Sequence, residues 1–363
     1  MTEAEPAFEM KTLLKDLVAI ESPSGEPEGI RQVMRRLSQD LPQDMAMRWH
    51  DTPRGPIFEA RRGSGGALLL GHADTVWPRG TLQTMPWRED GDLVYGPGTL
   101  DMKAGLVLAV AALRSSDAPA VLLVTPDEEI GSGASRPLLE SRAREAQVVL
   151  VLEAGMPDGA VKIARSGVGD FHLSITGVES HAGLEPERGA SAIKELAQQI
   201  LWLGGLENRL LGTTLNPGVV DGGTRTNVVA GRAEGYIDVR VQTAREMERI
   251  TETLAAPPRF DPRVKVEYRG AFNRPPMEPD PPMLRWFEYA ASIWKHTTGQ
   301  VMHGMRVGGA SDGNFTARLA PTLDGLGAVG QGAHARHEHI AWSSMNPRLA
   351  LLEQLLARAA EGL

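Results

Sequence analysis

Three carboxylates follow an apolar segment in the stretch TPDEEIGSG, residues 125–133, which comes directly after AVLLV. Unpaired carboxylates are costly to bury, so Asp127, Glu128 and Glu129 at the end of a buried strand require either a solvated loop or a positively charged partner. Adjacent residues of an extended chain point to opposite sides. One of the two glutamates can therefore bind a metal ion while the other faces a water molecule.

Other metal-type ligands follow apolar or glycine-rich segments. In GHADTV, His72 and Asp74 leave the same face of a strand, so His72 can bind a metal while Asp74 orients its ring. The loop YGPGTLDMKAG delivers Asp101 to the start of a helix, where an N-cap role is the alternative. Glu153 in VLVLEAG ends another apolar run, and its charge again needs a partner.

The segment GAHARHEHIAW contributes three histidines, His334, His337 and His339. They could form a local metal site by themselves. We favour His334 alone as a ligand, because it follows Gly332 in a loop.

Composition restricts the chemistry. The chain has no cysteine, so a metal must be held by histidine and carboxylate. The net charge of −8 is spread along the chain without a Lys/Arg block, which gives no support for binding nucleic acid or an anionic membrane. The acidic start, MTEAEPAFEM, lacks a secretory pattern, and no apolar run approaches the roughly 18 residues needed to span a bilayer. We expect a cytoplasmic protein.

The elements that must position these residues alternate between strand and helix. GALLLGHAD, AVLLVTPDEE and AQVVLVLEAG read as apolar strands, and MKAGLVLAVAALRSS reads as a buried helix. This pattern predicts an α/β fold with a mostly parallel sheet and helices on both faces. Chemistry in such folds gathers beyond the carboxyl ends of the strands, which is where the candidate ligands of all three strands fall.

From about Gly167 the pattern changes to alternating apolar and polar residues, which predicts antiparallel strands with one exposed face. We predict a catalytic domain in two parts, residues 1–166 and 277–363, with an inserted α+β domain at 167–276. We expect the proline-rich segment at 273–282 to be the hinge through which the chain returns from the inserted domain to the catalytic domain. The last helix is predicted to begin with Asn346 as its N-cap and Pro347 at its first position.

Seven segments occur in order: GHADTV, GPGTLDMKAG, TPDEEIGS, LEAG, SHAG, GTRTNVVA and GAHARHEHI. Together they resemble the zinc-dependent aminoacylase/carboxypeptidase superfamily over nearly the whole chain, and within it the glutamate carboxypeptidase group that removes glutamate from folates. The resemblance implies a zinc-exopeptidase-like catalytic domain with an inserted domain that acts as a lid and in dimerisation.

The resemblance also implies two zinc ions per subunit, with Co²⁺ or Mn²⁺ as substitutes. Asp101 would bridge them. His72 and Glu153 would complete the first site, and Glu129 and His334 the second. Glu128 would be the general base, Asp74 would orient His72, and the peptide bond Asp101–Met102 would be cis.

The inserted domain carries His181, in SHAG, which on its own would be a histidine at a strand end with no role. The resemblance implies that His181 stabilises the oxyanion. It also implies a homodimer paired through this domain, in which His181 reaches the active site of the partner subunit.

The expected substrate is a small or peptide-like molecule with a free carboxylate, which arginine binds through paired hydrogen bonds. Arg240 is the first candidate for this contact, and Asn227 could donate a further hydrogen bond to the substrate, because the resemblance implies substrate contacts at both positions. Arg269 and Arg225 are further candidates, and Gly308, Gly309 and Ser311 are expected to line the pocket. The expected reaction cleaves an amide bond to a C-terminal amino acid. The alternative is an N-acyl amino acid deacylase of the acetylornithine deacetylase or desuccinylase type.

Two other classes compete. GASDG, residues 309–313, fits the G-x-S-x-G motif of serine α/β-hydrolases, and Asp324 and His334 follow Ser311 in the required order. That mechanism would leave the carboxylates at the strand ends without a charge partner. A binding protein that retains the fold without activity is the second competitor, although every position of the expected site is filled.

Overall fold

The computed structural model describes residues 8–362. Most of the acidic N-terminal stretch, on which the absence of a secretory signal was predicted, lies outside these residues. The described chain forms two compact units. The smaller unit comprises Ala164–Glu278 together with Val307–Ala310, and the remaining described residues form the larger one. The predicted insertion, 167–276, lies inside the first of these ranges, whereas Val307–Ala310 had been predicted in the catalytic part.

Within residues 8–362 the structure has nine α-helices. In chain order they are α1 (Met10–Ala19), α2 (Pro27–Ser38), α3 (Ala104–Arg114), α4 (Arg136–Glu145), α5 (Ala192–Leu206), α6 (Ala244–Ala255), α7 (Pro281–Thr298), α8 (Gly313–Thr316) and α9 (Met345–Glu361).

The strands, in chain order, are β1 (Ala46–Thr52), β2 (Gly55–Arg62), β3 (Ala67–His72), β4 (Arg88–Asp90), β5 (Leu93–Tyr95), β6 (Ala120–Thr125), β7 (Val148–Val151), β8 (Val161–Arg165), β9 (Gly167–Thr176), β10 (Thr214–Gly222), β11 (Arg232–Val241), β12 (Lys265–Arg274), β13 (Gly304–Val307), β14 (Thr322–Leu323), β15 (Gly330–Gln331) and β16 (His339–Ala341).

The larger unit is built on a six-stranded sheet in the order β1-β2-β6-β3-β7-β14. Strand β3 lies between β6 and β7 and runs parallel to both, and β14 runs parallel to β7. Strands β1 and β2 form an antiparallel hairpin at one edge. Because β6, β3 and β7 are parallel neighbours, the residues that follow their carboxyl ends meet at the same edge of the sheet. The prediction of a mostly parallel α/β sheet is confirmed.

The core of the larger unit explains why the central strands are apolar. Leu68 and Leu70 of β3 belong to one buried cluster with Leu139 and Ala143 of α4. Helices α3 and α9 also contact β3 and each other, and every residue of α3 except Arg114 is buried. The strands are therefore enclosed, which requires apolar side chains along their whole length.

A second sheet of the larger unit, in the order β15-β16-β5-β4, is made of strands two or three residues long. It pairs residues near the end of the chain with residues near position 90. Through this pairing the loop that carries His334 is held beside the segment that leads to Asp101.

The smaller unit has a four-stranded antiparallel sheet in the order β10-β11-β9-β12. Alternate residues of its strands enter one core, as Leu173 of β9 and Val239 of β11 do together with Leu196 of α5 and Ile250 of α6. A sheet with two helices in its core and alternating exposed positions is the α+β arrangement that the sequence pattern predicts.

The ends of the helices depend on local chemistry. Helix α7 begins with two prolines, and its N-cap Asp280 accepts a hydrogen bond from the amide of Met283 at 2.8 Å. Its C-cap is Gly299, with φ 73°. The prediction for α9 is wrong. That helix begins at Met345 with Ser344 as N-cap, because a 3₁₀ turn at Trp342–Ser344 precedes it and brings Asn346 inside the helix.

Candidate metal centre

His72 is the last residue of β3 and is almost fully buried. Its Nδ1 lies 2.9 Å from the main-chain oxygen of Asp74 and 3.5 Å from the Asp74 carboxylate. Because a carbonyl oxygen can only accept, Nδ1 donates and the ring is oriented. Its Nε2 faces the carboxylates of Asp101 and Glu153, at 3.2 Å and 3.6 Å.

Asp101 lies in a helical turn, Thr99–Lys103, that precedes α3, but its own backbone is not helical (φ −121°, ψ 91°). The peptide bond from Asp101 to Met102 is cis. The carboxylate Oδ1 faces His72, and Oδ2 lies 3.2 Å from Nε2 of His334. One carboxylate therefore stands between two imidazoles.

His334 and Glu129 complete the second group. Nε2 of His334 lies 3.3 Å from Oε2 of Glu129. His334 adopts a left-handed conformation with φ 61°, which is rare for a residue with a side chain and is commonly found where function requires it. Oε1 of Glu129 is buried and has no hydrogen-bond partner among the described residues.

The structure thus brings together all five residues predicted as metal ligands, in two groups of donor atoms within 4.8 Å of one another. These groups are His72, Asp101 and Glu153, and Asp101, Glu129 and His334. Imidazole nitrogen and carboxylate oxygen suit zinc and related divalent ions. The buried, unpartnered oxygen of Glu129 is an atom that a bound cation would satisfy. The residues present therefore fit a pair of metal ions.

The electrostatics of the site point the same way. Hydrogen bonds to Asp101 and Glu129 raise the pKa of His334 to about 10. Burial alone would lower the pKa of His72, but its contacts with Asp101, Asp74 and Glu153 raise it well above its ordinary value. Burial raises the pKa of Glu129. The carboxylates thus stabilise positive charge at two places, as a pair of cations requires.

Asp74 is fully buried and acts on more than His72. Its carboxylate accepts hydrogen bonds from the amides of Glu128 (3.1 Å) and Glu129 (3.2 Å) and from the hydroxyl of Ser24 (2.7 Å). The sequence predicted that this carboxylate orients His72. In the structure its oxygens hold the turn Glu128–Ile130, and the shorter contact to His72 comes from the main chain.

Glu338 is a residue of the centre that sequence reasoning missed. Its carboxylate is fully buried and binds the main chain of the loop around Asp101. A single glutamate between two histidines gives no sequence signal of such a role. His337 and His339 belong to neither group of donor atoms found among the described residues. The Nδ1 of His339 instead contacts the main-chain oxygen of His337, at 2.7 Å.

In the smaller unit the segments SHAG and GTRTNVVA lie side by side. A strand-like bridge pairs His181 with Val228, and the amide of Ala182 donates to the oxygen of Asn227 at 2.9 Å. His181 and Asn227 are both exposed. Nδ1 of His181 accepts hydrogen bonds from the amides of Gly183 and Leu184, each at 3.1 Å.

Two of the three arginines predicted to bind substrate, Arg240 and Arg269, have ion-pair partners in this structure. Arg240 forms a two-pronged pair with Asp238, with distances of 2.8 Å and 2.7 Å. Arg269 is largely exposed and lies 3.3 Å from Glu267. Gly309 is exposed, and its oxygen accepts from Arg165 at 3.0 Å.

Ser311 differs from the prediction. Its side chain is fully buried and donates to Asp324 at 2.5 Å, so its hydroxyl is not a substrate contact. The serine-hydrolase alternative is also wrong, because the imidazole of His334 faces Asp101 and Glu129 and does not contact Ser311.

Within residues 8–362, no helix combines the length and the hydropathy that crossing a bilayer demands.

Comparisons with known proteins agree with this geometry. The model of the family described as peptidase family M20/M25/M40 matches residues 68–358. Carboxypeptidase G2 of Pseudomonas sp. (strain RS-16) is 28% identical over 382 residues, which cover 99% of this chain and 91% of the relative. Acetylornithine deacetylase of Proteus mirabilis (strain HI4320) is 28% identical over 320 residues, 81% and 79% of the two chains.

A solved structure shares the fold. The Bacillus subtilis YXEP protein, described as a dinuclear metal binding peptidase from the M20 family, superposes with a TM-score of 0.69. The two are 16% identical, and the match covers 98% of each chain.

Proposed function

The chain belongs to peptidase family M20/M25/M40, and we propose that it is a two-zinc carboxypeptidase that releases a C-terminal amino acid, of the glutamate carboxypeptidase type. The resemblance predicted from the sequence is confirmed by the family match, and the protein is a hydrolytic metallopeptidase. One observation carries the proposed pair of metal ions: the carboxylate of Asp101 is shared by two groups of three ligands.

We assign the first ion to His72, Asp101 and Glu153 and the second to Asp101, Glu129 and His334. Three protein ligands per ion leave room for water and substrate, which is typical of catalytic zinc. When bound, such a pair of cations polarises the substrate carbonyl and lowers the pKa of the attacking water to about 7.

Glu128 is the residue that we assign as general base. Its amide is fixed by Asp74 at 3.1 Å, and it shares the turn Glu128–Ile130 with the ligand Glu129. The carboxylate of Glu128 takes a proton from the attacking water and passes it to the leaving amine nitrogen. The bond from the substrate carbonyl carbon to that nitrogen breaks as the proton arrives.

His181 is the residue that we propose for the oxyanion. Two backbone amides donate to its Nδ1. An amide N–H cannot accept, so the neutral ring carries its proton on Nε2. This leaves one N–H that can donate to a developing oxyanion. We expect this imidazole to act in the active site of the partner subunit.

For substrate we propose a small or peptide-like molecule with a free carboxylate. Asn227 is the first candidate contact, since its segment is paired with that of His181 and its side chain is exposed. Arg240 already pairs with Asp238 through Nε and Nη2, so it would bind the substrate carboxylate with its remaining N–H donors or by exchanging Asp238 for it. Arg269 is exposed and less constrained.

The proposed homodimer rests on the exposed surface of the smaller unit. Strand β10 is at the edge of its sheet, and its Val219 and Val220 are 60% and 52% exposed. On α5, Ile193, Ala197 and Leu201 are exposed at intervals of four residues, so they share one helix face. An open strand edge and an apolar helix face together favour pairing with a second copy of this chain.

A deacylase that acts on N-acyl amino acids is the second candidate, because the acetylornithine deacetylase of Proteus mirabilis is as similar in identity as the carboxypeptidase. Hydrolysis of a folyl-glutamate compared with a panel of N-acetyl and N-succinyl amino acids separates the two. A preference for the acyl amino acids would overturn the carboxypeptidase proposal.

The metal is tested separately. We expect two zinc ions per chain by elemental analysis, loss of activity with a chelator, and no inactivation by an organophosphate. Inactivation by the organophosphate with activity retained in chelator would contradict the metal mechanism.

A further inference from the structure

Glu338 binds four donors at once. Its Oε2 accepts from the indole of Trp77 at 2.7 Å and from the amide of Gly98 at 2.8 Å. Its Oε1 accepts from the amides of Leu100 at 2.8 Å and Asp101 at 3.1 Å. The residue is 0% exposed. An ionised carboxylate has about four acceptor positions, so these bonds saturate it.

A buried charge with this set of partners acts on the main chain and not on substrate. Three of its four donors are backbone amides of the single loop that presents Asp101. The buried ammonium of Lys103, in the same turn, adds an attractive electrostatic interaction with Glu338. Because no face of the carboxylate is open, Glu338 is neither a ligand nor a catalytic residue.

The position of Glu338 in the chain links two ligands, Asp101 and His334. It lies four residues after His334, and the amide of Glu338 donates to the oxygen of Ala335 at 2.8 Å. The same short segment therefore carries one ligand and the anchor for the loop of another. Asp101 and His334 belong to the same donor group, so their spacing decides whether one cation can reach both.

We propose that Glu338 is a positioning residue: it clamps the main chain of Asp101 to the loop of His334 and thereby sets the affinity of the chain for its metal pair. The proposal rests on the two-ion site described above. Asp74 acts in the same way on another segment of the centre, since its buried carboxylate accepts hydrogen bonds from the amides of Glu128 and Glu129.

The test uses variants that remove part or all of the hydrogen bonds accepted by Glu338. Glu338→Gln keeps one acceptor oxygen and turns an NH₂ group toward two donors, so it loses about half of the clamp. Glu338→Ala loses all of it. Glu195→Gln is the matched control, because Glu195 is also a buried carboxylate that holds two backbone amides, those of Phe260 and Asp261, but in the smaller unit.

Zn²⁺ affinity is measured by competition with a chromophoric chelator, beside the urea midpoint of each metal-free variant. Residues that support metal ligands from behind typically contribute about 10–100-fold to affinity. We expect Glu338→Gln to lose about 10-fold and Glu338→Ala more, while Glu195→Gln loses stability and keeps its Zn²⁺ affinity. Unchanged Zn²⁺ affinity in Glu338→Gln, or a loss matched by Glu195→Gln, would overturn the proposal.

A second measurement uses the wild-type chain alone and does not depend on how the variants fold. Amide hydrogen exchange of Gly98, Leu100 and Asp101 is followed in the metal-free and zinc-loaded protein. We expect slow exchange in both, because Glu338 holds these amides without the metal. Protection that appears only with Zn²⁺ would mean that the metal orders the loop, which overturns the proposal. If the wild type binds fewer than two Zn²⁺, the proposed function fails, while the exchange experiment still tests the clamp.

Discussion

His72 and His334 point their Nε2 atoms at different oxygens of one carboxylate, each at a distance of 3.2 Å. The carboxylate belongs to Asp101, and the two histidines are separated by more than two thirds of the chain. Each imidazole has a second carboxylate beside it, Glu153 for His72 and Glu129 for His334. The two halves of the centre are thus matched in chemistry and share one residue.

Because Asp101 belongs to both donor groups and Glu129 to only one, their substitution should have different effects on metal binding. Asp101→Asn should abolish tight binding of both zinc ions, since it weakens both groups, whereas Glu129→Gln should leave the group of His72 intact and retain one ion per chain. Elemental analysis after dialysis counts the ions. An Asp101→Asn protein that keeps two zinc ions would contradict the bridge.

Substitution of Glu128 should lower activity without loss of metal, whereas substitution of the neighbouring Glu129 should lower metal content. Glu128→Gln is expected to lower kcat about 10²–10⁴-fold, the usual contribution of a general base, with two zinc ions still bound. Steady-state kinetics and zinc content measured on one preparation check this, with Glu252→Gln on the exposed face of α6 as control. Loss of zinc from Glu128→Gln would make Glu128 a ligand.

Mixing two inactive variants tests whether His181 acts across a dimer. His181→Ala and Glu128→Ala, unfolded together and refolded, should regain about one quarter of wild-type activity, because half of the dimers of a two-fold pair are hybrids with one complete site. Leu201→Arg should give a less active monomer by sedimentation, and Val301→Arg, an exposed apolar position of the larger unit, should not. Activity that stays at zero in the mixture would rule out action across the dimer.

Loss of the charge on Glu59 should contribute to the loss of stability at acid pH. This buried carboxylate is held by Arg142 (2.9 Å), His50 (2.9 Å) and Arg61 (3.3 Å). Burial alone would raise the pKa of Glu59, but these partners lower it below its ordinary value of 4.5. A lowered pKa in the folded state means stability that is complete above 4.5 and is lost as the pH falls through the folded pKa.

Glu59→Gln should therefore lower the free energy of unfolding by about 1.5–3 kcal/mol at neutral pH, and the difference from wild type should shrink as the pH drops below 4.5. Urea unfolding of both proteins across this range checks it. The metal centre titrates alike in both and cancels in the difference. If the free energies of unfolding of the two proteins differ by the same amount at every pH, the charge of Glu59 does not contribute to stability.

The parts of the fold that the sequence predicts are those with a strong pattern. The strands ending at His72 and Thr125 are uninterrupted apolar runs, and the alternation in β9 and β11 is regular. The hairpin β1–β2 was missed, because β1 is mostly exposed and reads as polar. The sheet of β15, β16, β5 and β4 was missed because strands of two or three residues carry no periodicity.

The residues of the metal centre likewise fall into those that the sequence predicts and those that it does not. Ligands at strand ends could be predicted because a charge after an apolar run needs a partner. Glu338 and Ser24 could not, since their roles depend on contacts between distant loops that no local spacing encodes. The full burial of Ser311 was equally invisible in its glycine-rich surroundings.

The short strand β14, Thr322–Leu323, pairs with β7 from near the end of the chain, and His334 and Glu338 come later still. A ribosome that has synthesised the first three hundred residues has therefore made the first donor group but neither the loop of His334 nor the clamp on Asp101. The nascent protein can complete both donor groups only after residues 334–338 have been synthesised. Binding of the second ion is thereby tied to synthesis of the segment that carries His334 and Glu338.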